Sequence, residues 1–473
     1  MKEMTMVKRH LGVVGMGVMG KNLALNAESK GFSAAGFDID PEKVKKVAEA
    51  VAGKEITVTN SLKDFVAVLE KPRRILLMVP AGKAVDAIVN DLKPYLERDD
   101  IVIDGGNSFF KDTERRVQEL EQSGLRFFGM GVSGGEEGAL HGPSLMPGGH
   151  EDSYRHLEPL LTKMAAQTSA GACCTYLGPR GAGHYVKMVH NGIEYGILQL
   201  ICETYDIFKN VARLTTPEIH DIFAEWNASE LNSYLLEITT LVLGKKDDIT
   251  GQPLVDLIVD EAQQKGTGKW TAQNAMDLGV AVPTLSYAVE ARILSGQKKE
   301  RVAAADILSG PKEVFSGDLT VFINNLREAY RVAVAVCYAQ GFEQLRVASK
   351  EYQYNLNFAE IARIWKGGCI IRAKMLDHIQ QSFAMDSALP NLMLAPAFSS
   401  NINKYSAALR EVVKASIHVG TPCVAFSTSL GYIDSYRQER LPANLLQALR
   451  DCFGAHTYHR TDKEGVFHTE WAK

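Results

Sequence analysis

Between residues 10 and about 180 the chain alternates short apolar runs with segments of helical spacing. The runs are LGVVG (11–15), SAAGFDI (33–39), RILLMV (74–79), DIVIDGG (100–106) and RFFGMGV (126–132). That rhythm predicts parallel strands with helical crossovers, hence a doubly wound α/β sheet. From residue 182 to 435 the period becomes helical almost throughout, with long segments at 186–211 and 324–348, and predicts an all-α domain. Each long segment is followed by a Glu-Ile pair (Glu218-Ile219, Glu360-Ile361) and then a tryptophan (Trp226, Trp365), a loose repeat compatible with internal duplication. Residues 436–473 offer one short helix and then polar and aromatic residues without a period. Such a tail cannot bury itself and either frays or lies on something else. The expected organisation is therefore 1–181, 182–435 and 436–473.

A chain of 473 residues exceeds what one core can fill, in keeping with that division. At 46% hydrophobic and 23% charged, it has the composition of a globular protein. Fifty-two basic against fifty-six acidic residues leave a net charge of −4, which provides no overall field to hold nucleic acid or an anionic membrane. No run approaches the ~20 apolar residues of a membrane span. The start, MKEMTMVKRH, has no apolar stretch behind its charges, so a cytoplasmic protein is expected. Seven scattered cysteines without a Cys-x-x-Cys are expected to be reduced, mostly buried thiols, and no metal is expected.

Candidate chemistry begins at Gly15-Met16-Gly17-Val18-Met19-Gly20, which follows the first strand and opens a helical segment. The first glycine permits a tight turn, the second lets a pyrophosphate approach the backbone, and the third lets helix and strand pack closely. Free N–H groups at the helix start then face the phosphates, as in a Rossmann-type dinucleotide site. Asp38 ends the second strand, 18 residues beyond Gly20. A carboxylate there accepts from both ribose hydroxyls of NAD and repels the 2′-phosphate of NADP. No lysine or arginine occupies positions 37 to 41.

Lys187, His190, Asn191, Glu194 and Tyr195 stand at i, i+3, i+4, i+7 and i+8. At 3.6 residues per turn they share an arc of about 140° on one helix face. Neither a solvated face nor a core face suits that set, and a functional cleft does. A lysine whose pKa is lowered can act as base, and a carboxyl whose pKa is raised can act as acid. Gly105-Gly106-Asn107-Ser108 and Val132-Ser133-Gly134-Gly135-Glu136-Glu137-Gly138 follow apolar strands, where open α/β sheets bind ligands. The second could form an anion nest. Gln264-Lys265-Gly266-Thr267-Gly268-Lys269-Trp270 is expected to be a mobile loop, either a phosphate clamp or a basic turn.

The segments GMGVMGKNLALN, DGGNS, GVSGGEEGA, GHYVKMVHNGIEYG, QKGTGKWT and RDCFGAHTY together resemble the decarboxylating 6-phosphogluconate dehydrogenase family, in order and across nearly the whole chain. The resemblance implies a Rossmann-type domain, a large helical domain and a C-terminal tail threaded into the other subunit of a homodimer. It implies that Lys187 is the base for the substrate 3-hydroxyl and Glu194 the acid that protonates the product enediol. His190, Asn191 and Asn107 would position the substrate, and Ser133, Gly134 and Gly135 would face its carboxylate. Tyr195, Lys265, Thr267 and Arg292 would hold the 6-phosphate, joined by Arg450 and His456 from the partner chain.

This sequence departs from the family pattern at the cofactor. Members that use NADP carry an Asn-Arg-Thr triplet where this chain has Asp38-Ile39-Asp40, and Val-Lys-Ala where it has Val79-Pro80-Ala81. Both changes remove positive charge, so NAD is the expected cofactor, with NADP less favoured. The expected cofactor contacts are Gly15 through Gly20, Asp38, Val79, Pro80, Ala81 and Asn107. Arg73 and Arg74, before the third strand, are the remaining cations that could reach the adenosine. Two alternatives stand beside this reading: oxidation of another C6-anionic aldonate such as a sulfonate, and a dinucleotide-binding sensor without turnover.

Overall fold

The computed structural model describes residues 8–472. β1 (Leu11–Val14) leads into α1 (Val18–Ser29), and β2 (Ala34–Phe37) into α2 (Pro41–Ala50), followed by β3 (Ile56–Thr59). β4 (Arg74–Leu77) precedes α3 (Lys83–Leu92), β5 (Ile101–Asp104) precedes α4 (Phe110–Glu121), and β6 (Arg126–Ser133) precedes the short α5 (Gly135–His141) and β7 (Ser144–Gly148). The seven strands pair in the order β3-β2-β1-β4-β5-β6-β7. The β1–β6 pairings are parallel, and β7 runs antiparallel to β6 with Ser133 opposite Ser144. β1, β2 and β5 are buried along their whole length and β4 over all but its first residue, which is why they read as continuous apolar runs. β3 and β7 were not expected. β3 is a four-residue edge strand with one buried side chain, and β7 contains Pro147, which an edge strand tolerates.

The helical part is built around α6 (Ala182–Asn210), with α7 (Thr216–Asn227), α8 (Thr267–Asp277), α9 (Pro283–Ser295), α10 (Leu319–Glu351), α11 (Phe358–Ile364) and α12 (Val424–Tyr436) among its neighbours in sequence and space. Residues 245–266 and 308–318 interrupt the expected helical run, apart from a 3-10 turn at Leu254–Leu257. The loose repeat has a structural counterpart. Thr215 and Glu218 form a capping box at α7, Asn357 accepts from Glu360 N at 3.1 Å at α11, and Trp226 and Trp365 are both fully buried. Beyond the tryptophans the two units meet as an antiparallel pair: Tyr234 N donates to the Arg372 carbonyl and Lys374 N to the Asn232 carbonyl, each at 3.0 Å.

The tail contains α13 (Ala443–Gly454) and an extended stretch folded back on it through Asp451. That buried carboxylate accepts from Thr457 N, His468 Nδ1, Thr469 N and Trp471 Nε1 at 2.8–3.0 Å, a set that holds it well below the usual carboxylate range. Leu445, Leu446, Leu449 and Phe453 of α13 remain half or more exposed. Among the described residues no helix is long and apolar enough to cross a membrane, and all seven cysteines are free thiols, with Cys202 and Cys452 exposed.

Candidate active site

The glycine turn after β1 has the shape its spacing predicts. Gly15 adopts φ +90°, a Cβ on Gly20 would overlap the Gly15 carbonyl oxygen, and the space above Gly17 is open. A cavity of about 500 Å³ follows the carboxyl ends of β1, β2 and β4, lined by Gly15, Gly17, Asp38, Val79, Pro80 and Ala84 among others. Met16 turns its side chain inward beneath Gly36 and donates its N–H to Asp38 Oδ2 at 2.8 Å. Val18 is half exposed, Met19 packs partly buried on the core, and Asn107 is exposed on the turn after β5.

Asp38 is 5% exposed and fixed by Met16 N and Asp40 N. It also pairs with Lys43, whose Nζ lies 3.1 and 3.3 Å from its two oxygens. Lys43 sits in the first turn of α2 and lines the cavity, two residues beyond the stretch in which the sequence shows no cation. Arg73 and Arg74 do not reach the adenosine end. They lie at the opposite, amino end of β4, Arg73 bound to Asp100 at 2.6 Å and to Glu97, Arg74 to Glu70.

The polar face of α6 packs against the carboxyl end of β6. Gly131 makes this approach feasible, because a Cβ there would overlap the Lys187 side chain. Lys187 Nζ donates to Asn191 Oδ1 at 2.8 Å, His190 Nδ1 contacts the same oxygen at 2.9 Å, and Asn191 Nδ2 donates to Thr267 Oγ1 at 3.0 Å. His190 Nε2 meets Ser133 Oγ at 3.4 Å. Lys187, His190, Asn191 and Thr267 are buried, although α6 faces the sheet at this end. Thr267 and Lys269 belong to the first turn of α8, which corrects the expected mobile loop. The turn is set by Gly266 in the left-handed region, and only Lys265 and Gly266 of the trio 265–267 precede the helix.

Burial sets the electrostatics. Desolvation pushes the Lys187 pKa below the ordinary lysine value, against the opposing pull of Glu194. Desolvation raises the Glu194 pKa, against Lys187 and Arg292. His190 falls well below the usual histidine value through burial and the Lys187 charge, and is held neutral. The Arg292 guanidinium stacks 3.5 Å from the Tyr195 ring centroid, and Lys265, two residues before Thr267, is exposed. The contacts of Arg450 and His456 stay within the tail, to Gln447 and Phe453.

One wall of the site was not read from the sequence. The loop after α11, Trp365-Lys366-Gly367-Gly368-Cys369-Ile370, closes the site from the helical side. Its Ile370 N donates to Ser133 Oγ at 3.4 Å, its Gly368 carbonyl accepts from Ser144 N at 2.7 Å, and the Trp365 ring meets His190 edge-on at 5.5 Å. The only signal in the sequence is the glycine pair after a tryptophan.

Similarity to known proteins extends over both parts of the chain. Residues 10–178 match the NAD binding domain of 6-phosphogluconate dehydrogenase, and residues 183–471 match the 6-phosphogluconate dehydrogenase C-terminal domain. The chain is 56% identical over 470 residues to the decarboxylating 6-phosphogluconate dehydrogenase of Synechococcus elongatus, covering 98% of this chain and 100% of the relative. It is 52% identical over 469 residues to the NADP(+)-dependent, decarboxylating enzyme of Bacillus subtilis, covering 99% and 100%. The solved Plasmodium falciparum 6-phosphogluconate dehydrogenase, studied with its cofactor NADP+ and its substrate 6-phosphogluconate, matches with a TM-score of 0.93 and 41% identity over 98% of this chain and 100% of that one. With both domains matched and nearly the whole length covered, the chain belongs to the 6-phosphogluconate dehydrogenase family.

Proposed function

We propose that this protein oxidatively decarboxylates 6-phosphogluconate to ribulose 5-phosphate and CO2, using NAD in preference to NADP. The observation that carries the reading is that buried Lys187 and partly buried Glu194 share one face of α6, with their ionisations displaced in opposite senses. A neutral Lys187 takes the proton of the substrate 3-hydroxyl, and Asn191 and His190 hold the amine and the substrate in line. A bound nicotinamide dinucleotide supplies the hydride acceptor. The resulting 3-keto acid loses its carboxyl group readily once the ketone is hydrogen-bonded, for which the Lys187 ammonium is placed. Glu194, whose pKa burial raises, delivers a proton to the carbon that becomes C1 of the product.

The cavity fits a dinucleotide: an open glycine turn for the pyrophosphate, a fixed carboxylate at the end of β2, and Val79-Pro80-Ala81 without a cation. Asp38 opposes a 2′-phosphate, and Lys43 offsets part of that repulsion. The expected preference for NAD is therefore modest, roughly 10-fold or more in kcat/KM. The exposed apolar face of α13 supports a homodimer in which the tail lies on the partner subunit and brings Arg450 and His456 to the 6-phosphate.

The deciding experiment is turnover with 6-phosphogluconate, following NADH or NADPH and released CO2 with each cofactor. An NADP kcat/KM equal to or above that for NAD would refute the preference. Absence of reduced cofactor with either dinucleotide would refute the enzymatic reading.

A further inference from the structure

Behind the two halves of the site lies a guanidinium that lines neither the dinucleotide cavity nor the Lys187 cluster. Arg116, on α4, is 1% exposed. Its Nε donates to Asp86 Oδ1 at 2.7 Å and its Nη2 to the Gly82 carbonyl at 3.0 Å, while Nη1 lies 3.5 Å from Asp104 Oδ2. Gly82 is the N-cap of α3 and Asp86 lies in its first turn, directly after Val79-Pro80-Ala81. Val79, Pro80, Ala84 and Ala87 line the dinucleotide cavity. Asp104 ends β5 and is fully buried. Its carboxylate accepts from Gly106 N at 3.0 Å and from Ser108 Oγ at 2.6 Å, which fixes the turn that presents Asn107.

We propose that Arg116 is a positioning residue that holds the cofactor loop 79–82 and the substrate loop 105–108 in one register; the assignment of those loops rests on the function proposed above. A buried charge is costly unless its partners are fixed, and here they flank two separate loops: Gly82 and Asp86 at the start of α3, and Asp104 at the end of β5. The planar fork of arginine donates to Asp86 and to the Gly82 carbonyl at set angles while its Nη1 stands 3.5 Å from Asp104 Oδ2 as an ion pair without a hydrogen bond, an arrangement the point charge of lysine cannot reproduce. The two loops also adjoin directly, since a Cβ on Gly106 would stand 3.3 Å from the Val79 carbonyl oxygen. A shift of one loop is therefore passed to the other unless both are anchored to the same group.

Steady-state kinetics of R116K, D86N and S108A test this, each with its thermal midpoint measured. R116K is expected to raise the KM for both dinucleotide and 6-phosphogluconate by about 5-fold or more. D86N is expected to raise only the dinucleotide KM, and S108A only the 6-phosphogluconate KM. A purely structural role would lower the midpoint without this split. The proposal is overturned if folded R116K keeps both KM values within about twofold of the parent, or if D86N and S108A shift both KM values alike. Should R116K fail to fold, the split between D86N and S108A decides alone. Should the parent not oxidise 6-phosphogluconate, the functional reading fails separately. The strut is then tested by NADH titration: R116K and D86N weaken binding and S108A does not, and equal affinities would sink it.

Discussion

Lys187 and Glu194 both lose hydration on the same face of α6, and the loss acts on them in opposite directions. The amine needs to be neutral to accept a proton, and acidification through its lowered pKa removes activity. The carboxyl needs to be protonated to donate one, and alkalinisation through its raised pKa removes activity. The kcat/KM profile should therefore be bell-shaped, its acid limb belonging to Lys187 and its alkaline limb to Glu194. K187M is expected to lose on the order of 10²–10⁴-fold in kcat, and E194Q a similar factor together with the alkaline limb. A profile with both limbs intact in E194Q would contradict the assignment. These residues were legible because a helical period brings i, i+3, i+4, i+7 and i+8 together from one sequence segment. Lys43 was not, because its approach to Asp38 depends on α2 turning back over the end of β2, a tertiary fact beyond a five-residue window.

At the scale of elements, the site depends on how closely α6 lies on the sheet. Gly129 and Gly131 of β6 and Gly148 of β7 all face α6, and a Cβ at any of them would meet its backbone or side chains. G131A would push against Lys187 directly. A displacement of about 1 Å at a reacting group costs on the order of 100-fold in rate, and overpacking costs about 1–3 kcal/mol of stability. The expected outcome is a large fall in kcat with a thermal midpoint only a few degrees lower; unchanged kcat would show that Lys187 is not held by this contact. The sequence showed the strands, since fully buried strands leave unbroken apolar runs. It hid β3, an edge strand with one buried residue, β7, which is buried but broken in sequence by Pro147 and Gly148, and the Gly367-Gly368 loop, whose partners Ser133 and Ser144 are more than 220 residues away.

For the whole molecule, the alternation of strands and helices followed by helices alone was enough to anticipate the architecture, because local period reports layer type directly. The interruptions at 245–266 and 308–318 were missed although Gly251-Gln252-Pro253, Gly310-Pro311 and Gly317 mark breaks there, because the helical period on either side outweighed these local signals. The tail was legible only as a segment without a period. Its inner order comes from Asp451, a single carboxylate that collects four donors from residues 457 to 471. An arm that keeps its own shape while its leucines stay uncovered can be exchanged as a unit. If each cleft is completed by a neighbour's arm, K187M chains and R450M chains, each nearly inactive alone, should restore activity when refolded together. In a mixed pair one cleft inherits both defects and the other neither, so random pairing would leave about a quarter of all clefts whole. Recovery of that fraction, read as turnover against the proportion of the two chains mixed, would identify the arm as a part lent between subunits.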